Sequence, residues 1–144
     1  MSDIEKAERL GRKRARLLVI VGLMLPLLQY AYLDQTDGSA LPPHRLVLWG
    51  FMVLTVLFAL TTGGGFGFGS KVRHLVNDES ARANRNAAAR LGFAICVLTG
   101  LGTAIYANSH AVSGQFAAQA IITAGLTTAS ICFGVLEWRG HKLG

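Results

Sequence analysis

Long apolar segments alternate with short charged segments along the whole chain. The longest covers residues 91–136, which contain no Asp, Glu, Lys or Arg. One membrane crossing by a helix takes about 20 predominantly apolar residues, so this segment is long enough for two crossings. Residues 108–115 interrupt it with polar side chains and a glycine, which favour a turn. The pattern therefore predicts two spans joined by a short loop.

Charged residues mark the ends of two further apolar segments. One lies between Arg16 and Asp34, and the other begins after Arg45. Taken together, the four predicted spans cover residues 17–33, 46–62, 91–107 and 116–136. We therefore expect an all-α integral membrane four-helix bundle that forms a single transmembrane domain over residues 1–144.

Three segments outside the predicted spans carry most of the basic residues. We expect residues 1–16 to form a basic helix, residues 63–90 a Gly-rich turn followed by a helix, and residues 137–144 a tail. Thirteen of the 14 Lys and Arg residues lie in these segments, and Arg45 is the other one. Because cytoplasmic loops carry the excess of Lys and Arg, the distribution predicts cytoplasmic termini and a cytoplasmic middle segment. The expected location is the cell inner membrane.

Composition and charge narrow the class of protein and of partner. The chain is 51% hydrophobic and 15% charged, whereas soluble domains are typically about 25% charged. Its formal net charge is +6. Basic residues beside spans attract anionic lipid headgroups by about 1 kcal/mol each, so anionic lipid is the expected partner of these charges. The sequence contains no base-reading module, and a nucleic acid partner is not expected.

Small residues recur at every fourth position in the third and fourth spans. The stripe in the third span consists of Gly92, Cys96, Gly100 and Ala104, and the stripe in the fourth span consists of Ala120, Ala124, Thr128 and Cys132. Membrane helices associate where small residues let their backbones approach. We therefore predict that the two stripes face each other in an antiparallel pair. In that pair Cys96 would lie at the depth of Cys132, and a large side chain at Gly100 would separate the helices.

The candidate chemistry is sparse, and neither an enzyme nor a cofactor or metal site is expected. Residues 62–71 are rich in glycine but lack the Gly-Lys-Ser/Thr order of a phosphate-binding loop. None of the four histidines lies inside a predicted span. Asp34 and Glu137 are expected only to terminate spans, which leaves no buried carboxylate for a proton-coupled exporter.

The segment between the second and third spans carries the most specific pattern of charges. Asp78 and Glu79 are followed by Arg82 and Arg85. This pattern resembles uncharacterised small bacterial four-helix inner-membrane proteins, in which an Asp-Glu pair followed by spaced basic residues separates the second and third spans. The resemblance covers the topology and this motif, and it implies no particular activity. Some of those proteins resemble regulatory partners of cytoplasmic helix-turn-helix proteins, which implies protein binding at this segment.

A local interpretation of the same residues is a stabilised helix start. Acidic residues in a first turn favour the helix dipole, and Asp78 lies four residues before Arg82, as in a helical ion pair. Both interpretations remain open at this point.

Two functional hypotheses follow. The first is a non-enzymatic inner-membrane protein that acts by protein association, as an accessory or regulatory subunit, with Asp78, Glu79, Arg82 and Arg85 as the contact surface. The alternative is a small transporter or exporter assembled as a homo-oligomer. Its path would be lined by the polar residues of the spans, which are Gln29, Thr55, Gln119 and Thr123.

Overall fold

The computed structural model describes residues 3–34, 42–62 and 79–140. All regular structure in these residues is α-helical, in four helices. They are α1 (Asp3–Asp34), α2 (Pro43–Thr62), α3 (Glu79–Ala107) and α4 (Gly114–Gly140). Each contains a segment long and apolar enough to cross a membrane. The predicted four-helix membrane bundle is therefore confirmed.

The helices include the predicted spans and extend beyond each of them. The basic N-terminal segment continues into the first span as one helix, and α3 begins 12 residues before the predicted third span. Local signals explain two of the starts. Pro43 opens α2, where the missing N–H of a proline removes no helical hydrogen bond. Ser113 caps α4, because its Oγ accepts a hydrogen bond from the N–H of Phe116 at 3.2 Å.

One continuous edge of α1 is buried. Its buried positions are spaced alternately by four and three residues, namely Gly11, Ala15, Leu18, Gly22, Leu25 and Gln29. This heptad spacing keeps one edge of a helix against a partner that crosses it at a small angle. The partner is mainly α4, because α1 and α4 share one of the two most extensive helix contacts in the described residues.

Helix α4 is the centre of the bundle. It packs extensively on α1 and on α3, and more lightly on α2. By contrast, α2 and α3 touch each other only marginally, as do α1 and α3. Phe133 of α4 and Leu25 of α1 are completely buried, and Val56 of α2 joins them in the core. The other faces of α2 and α3 expose large apolar side chains, as expected for helices that contact lipid.

Glycines set the separation of the helices on both sides of α4. A Cβ added to Gly134 would lie 2.8 Å from the carbonyl oxygen of Ala15 in α1. A Cβ added to Gly92 would lie 2.8 Å from the carbonyl oxygen of Gly125 in α4 and 2.8 Å from the Cβ of Ala129. Real Cβ atoms do not approach other atoms this closely. The backbones of α1, α3 and α4 are therefore in direct contact at these points.

The small-residue stripe predicted for the third span meets α4 over part of its length. Gly92 lies against α4, and the Cys96 thiol donates to the carbonyl oxygen of Ile121 at 3.5 Å. Gly100 has a looser contact, because the nearest side-chain atom to an added Cβ, on Ile121, is 3.6 Å away. Ala104 is exposed. The close approach is thus at Gly92, nearer the start of α3 than the sequence suggested.

On α4 the structure places the contact with α3 one residue away from the predicted stripe. The atoms nearest to Gly92, Cys96 and Gly100 belong to Ile121, Gly125 and Ala129. The predicted residues Ala120, Ala124, Thr128 and Cys132 are half-buried at neighbouring positions. One residue turns a helix by about 100°, so this shift selects a different face. Spacing alone could not choose between the faces, because α4 carries small residues on all of them.

Candidate functional site

The four residues predicted as a partner contact have different positions. Glu79 and Arg82 are exposed on the first turns of α3, and Arg85 is half-buried. Asp78 lies outside the described residues. Glu79 and Arg82 are therefore on the outer surface, whereas Arg85 makes a contact within the bundle.

Arg85 links α3 to the end of α2. Its Nη1 donates a hydrogen bond to the carbonyl oxygen of Thr61 at 3.1 Å. Thr61 is in the last turn of α2, where carbonyl oxygens have no partner within the helix and carry the negative end of the helix dipole. The Arg85 guanidinium supplies both a hydrogen-bond donor for the carbonyl oxygen and a positive charge at the negative end of the dipole. Sequence reasoning missed this role, because the two residues are 24 positions apart and their encounter depends on how α2 and α3 are placed.

The start of α3 extends beyond the length needed to cross a membrane. Its 29 residues span about 43 Å at 1.5 Å per residue, against roughly 30 Å for the hydrocarbon core. We name residues 79–90 the α3 polar segment. Ala81 and Ala88 of this segment are buried, whereas Glu79, Arg82 and Arg90 are exposed. It is therefore a helix that is packed on one side and charged on the other.

A cleft opens between α2 and α3, because these two helices barely touch. Its volume is about 690 Å³, and α4 forms its floor. The lining is apolar along most of its length, with Leu57 and Leu60 of α2, Phe93 of α3 and Leu126 of α4 among the contributors. At one end the lining becomes polar. We name this space the α2–α3 cleft, and its polar end is formed by Thr61, Arg85 and Asn86.

Buried polar groups without partners lie along α4. Gln119 Nε2, Thr123 Oγ1, Thr127 Oγ1 and Ser130 Oγ are buried and have no hydrogen-bond partner in the described part of the chain. Threonines elsewhere behave differently, since Thr55 donates to its own helix at the carbonyl oxygen of Phe51 at 2.8 Å. Buried polar groups without partners are uncommon and call for a physical explanation.

The residues of the predicted solute path are only partly brought together. Gln29, Gln119 and Thr123 are buried, on α1 and α4, which pack against each other. Thr55 is exposed on α2. Glu137 also departs from expectation, because its side chain is 5% exposed and α4 continues past it to Gly140. Glu137 lies on the same buried edge of α4 as Ser130, seven residues earlier. It is therefore part of the packed interior of the bundle.

The expectation that Cys96 lies at the depth of Cys132 is wrong, and we expect that these two cysteines do not form an intramolecular disulfide. Cys96 lies beside Gly125, and Cys132 is seven residues further along α4, which corresponds to about 10 Å along the axis. A disulfide requires Cα atoms within about 7 Å. Oxidation of the purified protein should therefore leave the intramolecular Cys96–Cys132 pair unlinked, as judged by mass spectrometry after proteolysis.

A cysteine placed at Gly125 provides the positive control. The Cβ of Cys96 would lie 3.6 Å from a Cβ at position 125, which is within the usual range for a disulfide. Oxidation of Gly125→Cys should therefore link positions 96 and 125. Efficient linkage of Cys96 to Cys132 in the unmodified protein would contradict the placement of α3 on α4.

Among the described residues, no three His, Cys, Asp or Glu side chains come together as a metal site would require. His110 is engaged locally, since its ring stacks on that of Tyr106 with centroids 4.1 Å apart. No protein-family model, curated protein or solved structure matches the chain. Its function is therefore inferred from its own residues and their geometry.

Proposed function

We propose that this chain is a non-enzymatic inner-membrane protein that acts by binding a protein partner, as an accessory or regulatory subunit. The observation that carries the proposal is the α3 polar segment. It is a preformed helix, held by buried alanines and by the bond from Arg85 to Thr61, and it extends beyond the membrane-spanning length. Because the segment is already ordered, it would lose little conformational entropy when a partner binds Glu79 and Arg82.

We further propose that this segment faces the cytoplasm, together with the N-terminus and the C-terminal end of α4. The distribution of Lys and Arg supports this orientation. A cysteine introduced at Ser113, which is exposed before α4, should react with a membrane-impermeant thiol reagent in intact cells. A cysteine introduced at Ser80 should react only after the membrane is opened. Labelling of position 80 in intact cells would reverse the orientation.

Partner binding is tested by reversing one exposed charge. With the protein as bait in solubilised membranes, Arg82→Glu should reduce capture of a defined cytoplasmic protein by about tenfold, because an unfavourable charge pair replaces a favourable one. The matched control is Arg139→Glu, which changes an exposed charge in the last turn of α4. Equal capture by the unmodified protein and Arg82→Glu would contradict the proposed surface.

A second candidate function is a path for a polar solute through a homo-oligomer. The buried polar groups of Gln119, Thr123 and Ser130, which lack partners in the described residues, favour it. In a membrane such groups frequently contact water or a transported solute. A transporter would bind its solute after purification alone, whereas an accessory subunit requires its partner protein.

A further inference from the structure

The α2–α3 cleft runs from the α3 polar segment into the membrane-spanning part of α3. On α3 its lining extends from Arg85 to Cys96, which corresponds to about 16 Å along the helix axis. Because the α3 polar segment ends at residue 90, about half of this length lies at the headgroup level and the rest extends into one leaflet of the hydrocarbon core. The polar end at Arg85 lies in the α3 polar segment, beyond the membrane-spanning length. An occupant of the cleft would therefore enter from the side, between α2 and α3.

The volume of the cleft, about 690 Å³, is that of a small-molecule site. The observed volume is within the range of about 300–1,000 Å³ that small-molecule sites occupy. The mainly apolar lining matches an acyl chain.

The polar end of the cleft indicates the kind of polar group that the occupant carries. Arg85 is the charged residue of the lining, and Asn86 adds an amide beside it. Only one hydrogen bond from the Arg85 guanidinium is directed to Thr61, and a guanidinium has five N–H donors. The bond to Thr61 holds the group in place, and its other donors match the paired oxygens of a phosphate.

We propose that the α2–α3 cleft binds one anionic phospholipid, with an acyl chain along α4 and the phosphate at Arg85. This site differs from general attraction of headgroups to basic residues, because it depends on one half-buried arginine and on an apolar space beneath it. It also does not depend on which side of the membrane is cytoplasmic. The lipid would fill the gap that the marginal contact between α2 and α3 leaves.

The headgroup is tested with the full-length protein in a neutral detergent. Phosphatidylglycerol should raise the thermal unfolding temperature and remain bound as one molecule in native mass spectrometry, and phosphatidylcholine should bind more weakly. Arg85→Gln should weaken phosphatidylglycerol binding by about fivefold to tenfold, while Arg82→Gln, which changes an exposed arginine one turn earlier, should not. The effect of lipid is measured relative to each lipid-free variant, so the lost bond to Thr61 does not enter the comparison.

The acyl chain is tested by filling the cleft. Ala89 lines it, whereas Ala87 is exposed on the same helix and does not. Ala89→Leu should therefore lower the amount of bound lipid, and Ala87→Leu should leave it unchanged. Equal binding of the two lipids, equal effects of the two arginine variants, or equal effects of the two alanine variants would each overturn the proposal. Inorganic phosphate that stabilises the protein as much as phosphatidylglycerol would also overturn it.

Discussion

Replacing Gly92 with alanine is expected to lower the free energy of unfolding by about 1 to 3 kcal/mol, the usual range for an overpacked contact. The added methyl group would lie 2.8 Å from the carbonyl oxygen of Gly125 and 2.8 Å from the Cβ of Ala129. Neither atom belongs to the flexible end of a side chain. The backbones of α3 and α4 must therefore separate, and contacts along the whole interface weaken.

Gly102 provides a matched control in the same helix. No atom lies within 4 Å of a Cβ added there, so Gly102→Ala should leave stability unchanged or raise it by up to about 1 kcal/mol through helix propensity. Both variants would be unfolded chemically in one detergent. In a second test, Ala129→Gly should recover part of the loss in Gly92→Ala, because it removes one of the two clashes. Equal stability of Gly92→Ala and Gly102→Ala would show that α3 does not approach α4 at Gly92.

Removing buried hydroxyl groups from α4 should stabilise the protein. The exposed fraction is 4% for Thr123 and 0% for Ser130, and neither hydroxyl has a partner in the described residues. Burying such a group without a hydrogen bond is unfavourable by about 1 to 3 kcal/mol. In membrane helices the difference is smaller, so we expect Thr123→Val and Ser130→Ala each to raise the free energy of unfolding by about 1 kcal/mol.

Thr55→Val is the control for these two variants. The Thr55 hydroxyl is exposed and bonded to the carbonyl oxygen of Phe51, so the change should stay within about 0.5 kcal/mol. The measurement also separates the two candidate functions. If Thr123→Val or Ser130→Ala lowers stability, the hydroxyl makes favourable bonds to water or to a solute, and the solute path gains support over protein association.

Hydropathy and flanking charges were sufficient to predict four helices that are long and apolar enough to cross a membrane, although the helices extend beyond the predicted spans. They were also sufficient to pair α3 with α4, because a short loop forces consecutive helices to be antiparallel neighbours. They could not identify the face of α4 that contacts α3. Gly125 and Ala129 face α3, whereas Gly134 faces α1, and several different lines of small residues along this helix have a spacing of four.

The roles of Arg85 and Glu137 could be identified only from the three-dimensional arrangement of the helices. In the sequence Arg85 belongs with Arg82, and only the position of α2 shows that it binds the carbonyl oxygen of Thr61. Glu137 follows the last predicted span by one residue, but the helix continues to Gly140 and the Glu137 side chain is buried. In both cases the contact depends on the placement of neighbouring helices, which the charge pattern does not show.

The central position of α4 constrains the order of assembly. Ribosomes synthesise chains from the N-terminus, so α1, α2 and α3 enter the bilayer before the helix on which α1 and α3 mainly pack has been made. Until α4 arrives, the insertion machinery and lipid must cover the faces of α1 and α3 that α4 later buries. Folding of this protein is therefore a late lateral assembly of helices already inserted, and truncation within α4 would leave three spans with the correct topology but without a bundle.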